Sequence, residues 1–221
     1  MRETQARLLA DKIYDQLKMD IITCKYHPGD SLTEIELASR FNVSRTPIRE
    51  VCNRLMKEDF LQSIPYKGYI VSPVKLQDLQ ELYQIRLVLE PFAAELAARN
   101  ATPATIKFLR ATLNSAPKNL EGQEFLNLIE TDLDFHSAVA EAGGNSRLVK
   151  IICNLRNQIE RLVYLIYERY GPYHQVSFDE HEDVVKAIEA NDPKLAREIM
   201  TQHINIHRTS AIEALSSERA I

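Results

Sequence analysis

The sequence predicts a mainly α-helical protein in two parts: a winged helix-turn-helix, then an all-α antiparallel bundle of about six helices. Three observations predict it. Residues 33–72 read as two short helices, a tight turn and a β-hairpin with a basic tip. From Leu76 onward no strand alternation occurs, and apolar residues recur at three- and four-residue steps. Ser72-Pro73-Val74-Lys75 separates the two patterns, so the expected domains are residues 1–74 and 75–221.

Residues 7–23 set Leu8, Leu9, Ile13, Leu17 and Ile21 at helical spacing and end before His27-Pro28-Gly29-Asp30. Ser31 or Thr33 can cap the next helix, and Thr33 with Glu36 fits a capping box. Leu37, Ala38 and Phe41 form its apolar face, and Asn42 suits a left-handed turn. A third helix is expected from about Arg45 to Lys57. Pro47 falls in its first turn, where a missing N–H costs nothing. Residues 60–64 and 69–71 alternate as two strands around Pro65-Tyr66-Lys67-Gly68, which makes a wing. In the second part the expected helices are about 76–100, 103–117, 121–142, 145–170, 175–190 and 193–216. Their breaks fall at Thr102-Pro103, Ala116-Pro117, Gly143-Gly144-Asn145, Gly171-Pro172 and Asn191-Asp192-Pro193.

Bulk properties narrow the class. With 45% hydrophobic and 26% charged residues the chain is globular in composition. No apolar run approaches the roughly 18 residues a membrane span needs, and the first residues lack a signal-peptide core, so a cytoplasmic protein without a membrane partner is expected. Cys24, Cys52 and Cys153 are far apart and outside any CxxC pattern, and Cys52 falls on an apolar stripe with Ile48, Val51 and Leu55. The net charge of −4 divides unevenly. Residues 1–74 hold 11 Lys and Arg against 10 Asp and Glu, and residues 75–221 hold 16 against 21. An acidic bulk does not forbid DNA binding, because the field at the contact face decides it.

That contact face is the start of the third helix. Ser44, Arg45, Thr46 and Arg49 bring two guanidiniums and two hydroxyls to a helix N-terminus, where a duplex groove would meet them. Arg40 and Arg54 read as solvated charges.

In the bundle, Asp132 and His136 are four apart and share a helix face. His181 lies near the start of a later helix and His203 in the last one. One carboxylate and three imidazoles from three helices could converge as metal ligands. Such N and O donors suit Zn²⁺, Ni²⁺ or Mn²⁺. Competing features leave this open: His203 and His207 form another four-residue pair, and Asp134 points about 160° away from His136. The same residues could also be caps and surface pairs with no metal.

The stretches that carry the most information are ELASRFNVSRTPIREVCNRLMKEDFL with PYKGYIV, then YQIRLVLEPFAAELAA (83–98), DLDFHSAVAEAGGNSRLV (132–149) and EHEDVVKAIEANDPKLAREIMTQHI (180–204). The first two closely resemble the winged-helix domain of GntR-type transcription regulators. The others resemble the helical effector-binding FCD domain of the FadR subfamily, and together they span nearly the whole chain. The resemblance implies a ligand-responsive regulator, a repressor rather than an enzyme, with no catalytic residues. It implies a homodimer on a pseudo-palindromic double-stranded operator. It implies a divalent ion, Zn²⁺ first, held by Asp132, His136, His181 and His203, and a small organic acid whose carboxylate meets Arg86. His207 then stands behind or beside the ligands. The rival for Arg86 is a pair with Glu90 within its own helix. On the DNA side, the resemblance assigns base and phosphate contacts to Arg45 and Arg49, phosphate contacts to Ser44 and Thr46, and minor-groove contacts to Lys67, Gly68 and Tyr69. Two positions depart from the family pattern: Ile35 stands where many relatives carry a DNA-contacting Arg, and Phe60 where Gly is common. Alternative readings are a metal-free regulator responding to an acyl thioester, and a metal-dependent hydrolase.

Overall fold

The computed structural model describes residues 2–115, 123–171 and 178–216, which form two compact units, Met1–Val74 and Lys75–Ile221. The breaks expected at Ala116-Pro117 and at Pro172 lie outside the described residues.

In the first unit, α1 (Arg2–Ile22) starts five residues before the expected 7. Its inward face is Ala10, Ile13, Tyr14, Leu17 and Ile21, and α1 packs on α3 (Arg45–Lys57). Leu8 and Leu9, expected on that stripe, are exposed. Between these helices lies α2 (Glu34–Phe41). Thr33 accepts from the backbone N–H of Glu36 while the Glu36 carboxylate accepts from that of Thr33, the full capping box. Asn42 closes α2 in the left-handed region at φ 53. From α3, Ile48, Val51, Cys52 and Leu55 are fully buried, and burial pushes the Cys52 thiol up to about 12, as befits an inert core residue.

Arg40 and Arg54 are more than solvated charges. Arg40 pairs with the fully buried Asp20 and donates to the Tyr26 hydroxyl at 2.8 Å. Lys25 and Gln16 also donate to Asp20. Burial pushes the Asp20 carboxyl up, but these donors outweigh it and hold it below its usual range. Arg54 pairs with Asp11 at 2.6 Å, and its guanidinium sits 3.9 Å over the Tyr14 ring. Both arginines therefore fasten helices together.

The wing consists of β2 (Leu61–Ile64) and β3 (Gly68–Val71), antiparallel with Ile64 opposite Gly68. A two-residue strand that the sequence pattern did not reveal, β1 (Ser31–Leu32), pairs with β3, giving the order β1-β3-β2. At the tip the Lys67 N–H donates to the Ile64 carbonyl, and Tyr66 takes φ 64 after Pro65, a type II turn with a tyrosine where glycine is usual. Phe60 is buried and adds packing beneath the sheet.

The second unit is an all-helical bundle: α4 (Leu76–Asn100), α5 (Pro103–Asn114), α6 (Gln123–Ala142), α7 (Ser146–Tyr170), α8 (Phe178–Glu189) and α9 (Pro193–Ser216). Thr102 caps α5 ahead of Pro103, and Asn145 caps α7 by accepting from the N–H groups of Arg147 and Leu148. The α7 residues Leu148, Ile152, Ile159, Leu162 and Ile166 are buried at the expected spacing. Helix α4 runs against α9, and α6 packs on α4, α5 and α7. This arrangement turns the inner faces of α4, α6, α8 and α9 toward one polar core.

Gly68 has φ 104, and a Cβ there would stand 2.5 Å from the Leu32 carbonyl oxygen. Gly68→Ala is therefore expected to lower stability by more than the about 1–3 kcal/mol of a strained φ alone. Gly29→Ala, at φ 93 with open space around it, should cost only that strain. Urea unfolding of the two variants side by side checks the difference.

Candidate metal centre and candidate DNA interface

Helix α6 carries Asp132 and His136 one turn apart, facing inward. Helix α8 brings His181 and α9 brings His203 to the same point, and all four residues are buried. The Nε2 atom of His203 lies 3.1 Å from that of His136 and 3.2 Å from that of His181. Asp132 Oδ1 is 3.2 Å from His181 Nε2, and its Oδ2 is 3.9 Å from His136 Nε2.

Two further carboxylates orient the rings. His136 Nδ1 lies 2.7 Å from Glu90 Oε2, and His203 Nδ1 lies 2.8 Å from Glu180 Oε2. A carboxylate only accepts, so a proton on Nδ1 of each ring suits these contacts and leaves the Nε2 lone pair pointing inward. Two lone pairs then face each other across 3.1 Å in a buried site, an unfavourable contact that a cation between them relieves. Donors about 2.1 Å from one ion and roughly 90–109° apart would stand about 3.0–3.4 Å from each other, which the imidazole spacings match. The donor set thus fits a divalent ion.

The electrostatics point the same way. Burial, reinforced by the neighbouring imidazoles, holds His203 well below its ordinary value. Burial also lowers His181, against the pull of Asp132. Burial would raise Asp132, but its hydrogen bond and proximity to His181 outweigh this and hold it well below the usual carboxylate range. Neutral imidazoles and an ionised carboxylate are the protonation states ligands need.

Among the other residues singled out by sequence, Asp134 turns away and pairs with Arg156 at 2.6 Å. The His207 ring centroid lies 4.3 Å from that of His203. Glu180, His203 and His207 also have ligand atoms near one another. Arg86 is 2% exposed and makes the intrahelical pair: Nε donates to Glu90 Oε1 at 2.7 Å and Nη2 to Oε2 at 3.2 Å. Glu90 is thus shared by Arg86 and His136. Burial would raise its pKa, but these two partners hold it far down, and Arg86 is raised in return. Glu90 was read from the sequence only as the rival partner of Arg86, the pair found here; its place behind His136, and Glu180, were missed. The four-residue step from Arg86 and the position just before His181 were the only signals available.

In the first unit, Arg45, Thr46 and Arg49 are exposed at the start of α3, and the Ser44 hydroxyl makes no capping hydrogen bond. A groove of about 420 Å³ runs between this helix end and the wing, lined by Glu34, Ile35, Arg45, Tyr66, Lys67 and Gly68. Lys67 is exposed, but Tyr69 points inward at 7% exposure; the solvent-facing aromatic of the wing is Tyr66. Arg49 is held by Glu34, with Nε and Nη2 each 2.8 Å from a carboxylate oxygen.

An exposed arginine pair at the head of a second helix, beside a β-wing, defines the winged helix-turn-helix class of DNA-binding regulators. Residues 9–71 match the bacterial regulatory proteins of the gntR family, and residues 81–206 match the FCD domain. The HTH-type transcriptional repressor RspR of Escherichia coli (strain K12) is 28% identical over 193 residues, covering 87% of this chain and 84% of that protein. The gluconate operon transcriptional repressor of Bacillus licheniformis is 27% identical over 195 residues, 86% and 79% of the two chains. A solved GntR transcriptional regulator from Rhodococcus sp. RHA1 superposes with a TM-score of 0.77 at 19% identity, covering 92% of this chain and 97% of that one. The chain belongs to the gntR family of bacterial transcription regulators, in the branch that carries an FCD domain. It is a DNA-binding transcription regulator and not an enzyme. Among the described residues no helix is long and apolar enough to cross a membrane.

The depressed histidines give a stability signature. His181 and His203 are neutral when folded and would take up protons when unfolded, at about 6.5. Their contribution is present above that pH and is lost as pH falls toward their folded values. Chelator-treated protein should therefore lose melting temperature progressively below about pH 6.5, and a His203→Gln variant should show a shallower decline. Melting curves across pH check this.

Proposed function

We propose that the bundle is a metal-dependent sensor of a small carboxylate and that the chain acts as a homodimeric repressor on a pseudo-palindromic operator. The observation that carries the metal reading is the inward turn of the imidazole Nε2 atoms, two of them fixed from behind by Glu90 and Glu180. Asp132, His136, His181 and His203 would hold the ion. Zn²⁺ heads the choices, with Ni²⁺ and Mn²⁺ compatible with the same donors. The ion would supply a positive charge with coordination positions left for an acidic ligand.

What this chain's own residues do follows from their contacts. Glu90 keeps His136 in one tautomer and holds Arg86 beside the site. Arg86 binds Glu90 through Nε and Nη2, and the guanidinium has a further pair of N–H groups at its far end that can grip a carboxylate. Its neighbourhood to His203 is already felt, since its charge adds to the depression of that ring. The name of the Bacillus licheniformis relative, a gluconate operon repressor, agrees with a sugar acid as one member of the effector class. To switch the regulator, the effector must bind its DNA-competent and incompetent forms unequally. A homodimer follows from the symmetry of operators, because a two-fold protein reads two-fold half-sites.

Purified untagged protein should carry about one divalent ion per chain by plasma mass spectrometry, and Asp132→Ala/His136→Ala should carry none. Equal, negligible metal in both would remove the metal from the proposal. Glu90→Gln, which keeps the size but withdraws the charge behind His136, should weaken metal affinity by about 10–100-fold in a chelator competition.

A further inference from the structure

We propose that Glu34 is a positioning residue for sequence reading: it grips Arg49 side-on, so that the far edge of the guanidinium is presented to a guanine. The inference rests on Arg49 facing the DNA groove. Glu34 is the first residue of α2, directly after the Thr33 cap, so its backbone is anchored by the capping box. Its two oxygens take the Nε–H and one Nη2–H of Arg49, both at 2.8 Å, across 15 residues of sequence. This consumes the side edge of the fork. The end edge, one N–H from each terminal nitrogen, is not used by Glu34 and belongs to an exposed side chain, and that edge is the one that matches guanine O6 and N7.

The surroundings support orientation as the purpose of the pair. Arg49 is 63% exposed, so the pair contributes little to fold stability. The Tyr69 hydroxyl, anchored in β3, reaches Glu34 Oε1 at 3.5 Å, so one carboxylate touches elements from α2, α3 and the wing. Its hydrogen bond to Arg49 holds Glu34 below the usual carboxylate range, which keeps it ionised. Next to it stands Ile35, 61% exposed, which offers a duplex no charge and no side-chain hydrogen-bond donor. Discrimination that a cation at that position would provide falls on Arg45 and Arg49, and an arginine that reads a base has to be aimed.

A carboxylate at a DNA-facing surface also repels phosphate, and this gives the inference an unusual sign. Removing Glu34 should weaken binding to the right sequence and strengthen binding to the wrong one. The test uses the full chain and a duplex selected by the wild-type protein from a random library. Affinities for this duplex, for its single-base-pair variants and for an unrelated duplex are measured by fluorescence anisotropy at fixed low salt. Glu34→Ala should lose about tenfold in affinity for the selected duplex and gain affinity for the unrelated one. It should also flatten discrimination at the same base pair as Arg49→Ala. Glu34→Gln, which keeps the side-chain volume, should do likewise in weaker form, and circular dichroism melting verifies that both are folded. Loss of affinity for both duplexes alike, or a gain for both, would overturn the inference, as would full discrimination in Glu34→Ala where Arg49→Ala has none. If Arg49→Ala itself discriminates as wild type, the placement of Arg49 in the groove fails, and the inference falls with it.

Discussion

The C-terminal bundle is organised around one constraint: three imidazoles and a carboxylate are buried at a single point with their ligating atoms turned toward one another. Polar groups cost heavily inside a protein unless partnered, and like-facing lone pairs have no partner among themselves. On the proposed reading, a divalent ion relieves that repulsion. The surrounding helices follow from the constraint. Helix α6 must present Asp132 and His136 on one face, α8 and α9 must each deliver one ring, and α4 must bring Glu90 behind His136. The same bundle holds two apolar clusters, one of Leu128, Ile129, Leu133 and Ile159 and one of Ala93, Ala140, Leu148 and Ile152.

The two units use the same device for different ends. In each, a glutamate clasps an arginine by the side edge of its guanidinium: Glu34 with Arg49, and Glu90 with Arg86. Burial decides what each pair does. Arg86 and Glu90 are nearly inaccessible, so their charges are strongly coupled to each other and to the histidines, and removing either would strand the other. Arg49 and Glu34 are in contact with water, so their attraction is screened and the pair matters chiefly for direction. A buried clasp tunes a site, and an exposed clasp aims a side chain.

Much of this was legible in the sequence because it depends on local signals. Pro103, Asn145 and Pro193 mark helix starts, Asn42 marks a stop, and the three-to-four-residue spacing of Leu148 through Ile166 gives a buried face. Asp132 and His136 had to share a face once α6 was helical. What escaped depends on partners distant in sequence or on atom-level direction. β1 is two residues long and exists through its pairing with β3. Leu8 and Leu9 obey helical spacing yet are exposed, because spacing alone does not say which turns of a helix are covered. Asp20 and Asp11 claim Arg40 and Arg54 through contacts across 20 and 43 residues. In the wing, the type II turn sends Tyr69 inward and leaves Tyr66 outside, a distinction that alternation alone does not make. Glu180, and the second role of Glu90 behind His136, become visible only when one knows which ring nitrogen faces in.

X-ray absorption spectroscopy at the metal edge of the untagged protein tests the central claim most directly. Three imidazole ligands, recognised by their multiple-scattering pattern, together with oxygen at about 2.0–2.2 Å are the expected result. A metal bound through sulfur at about 2.3 Å, or through oxygen alone, would contradict it.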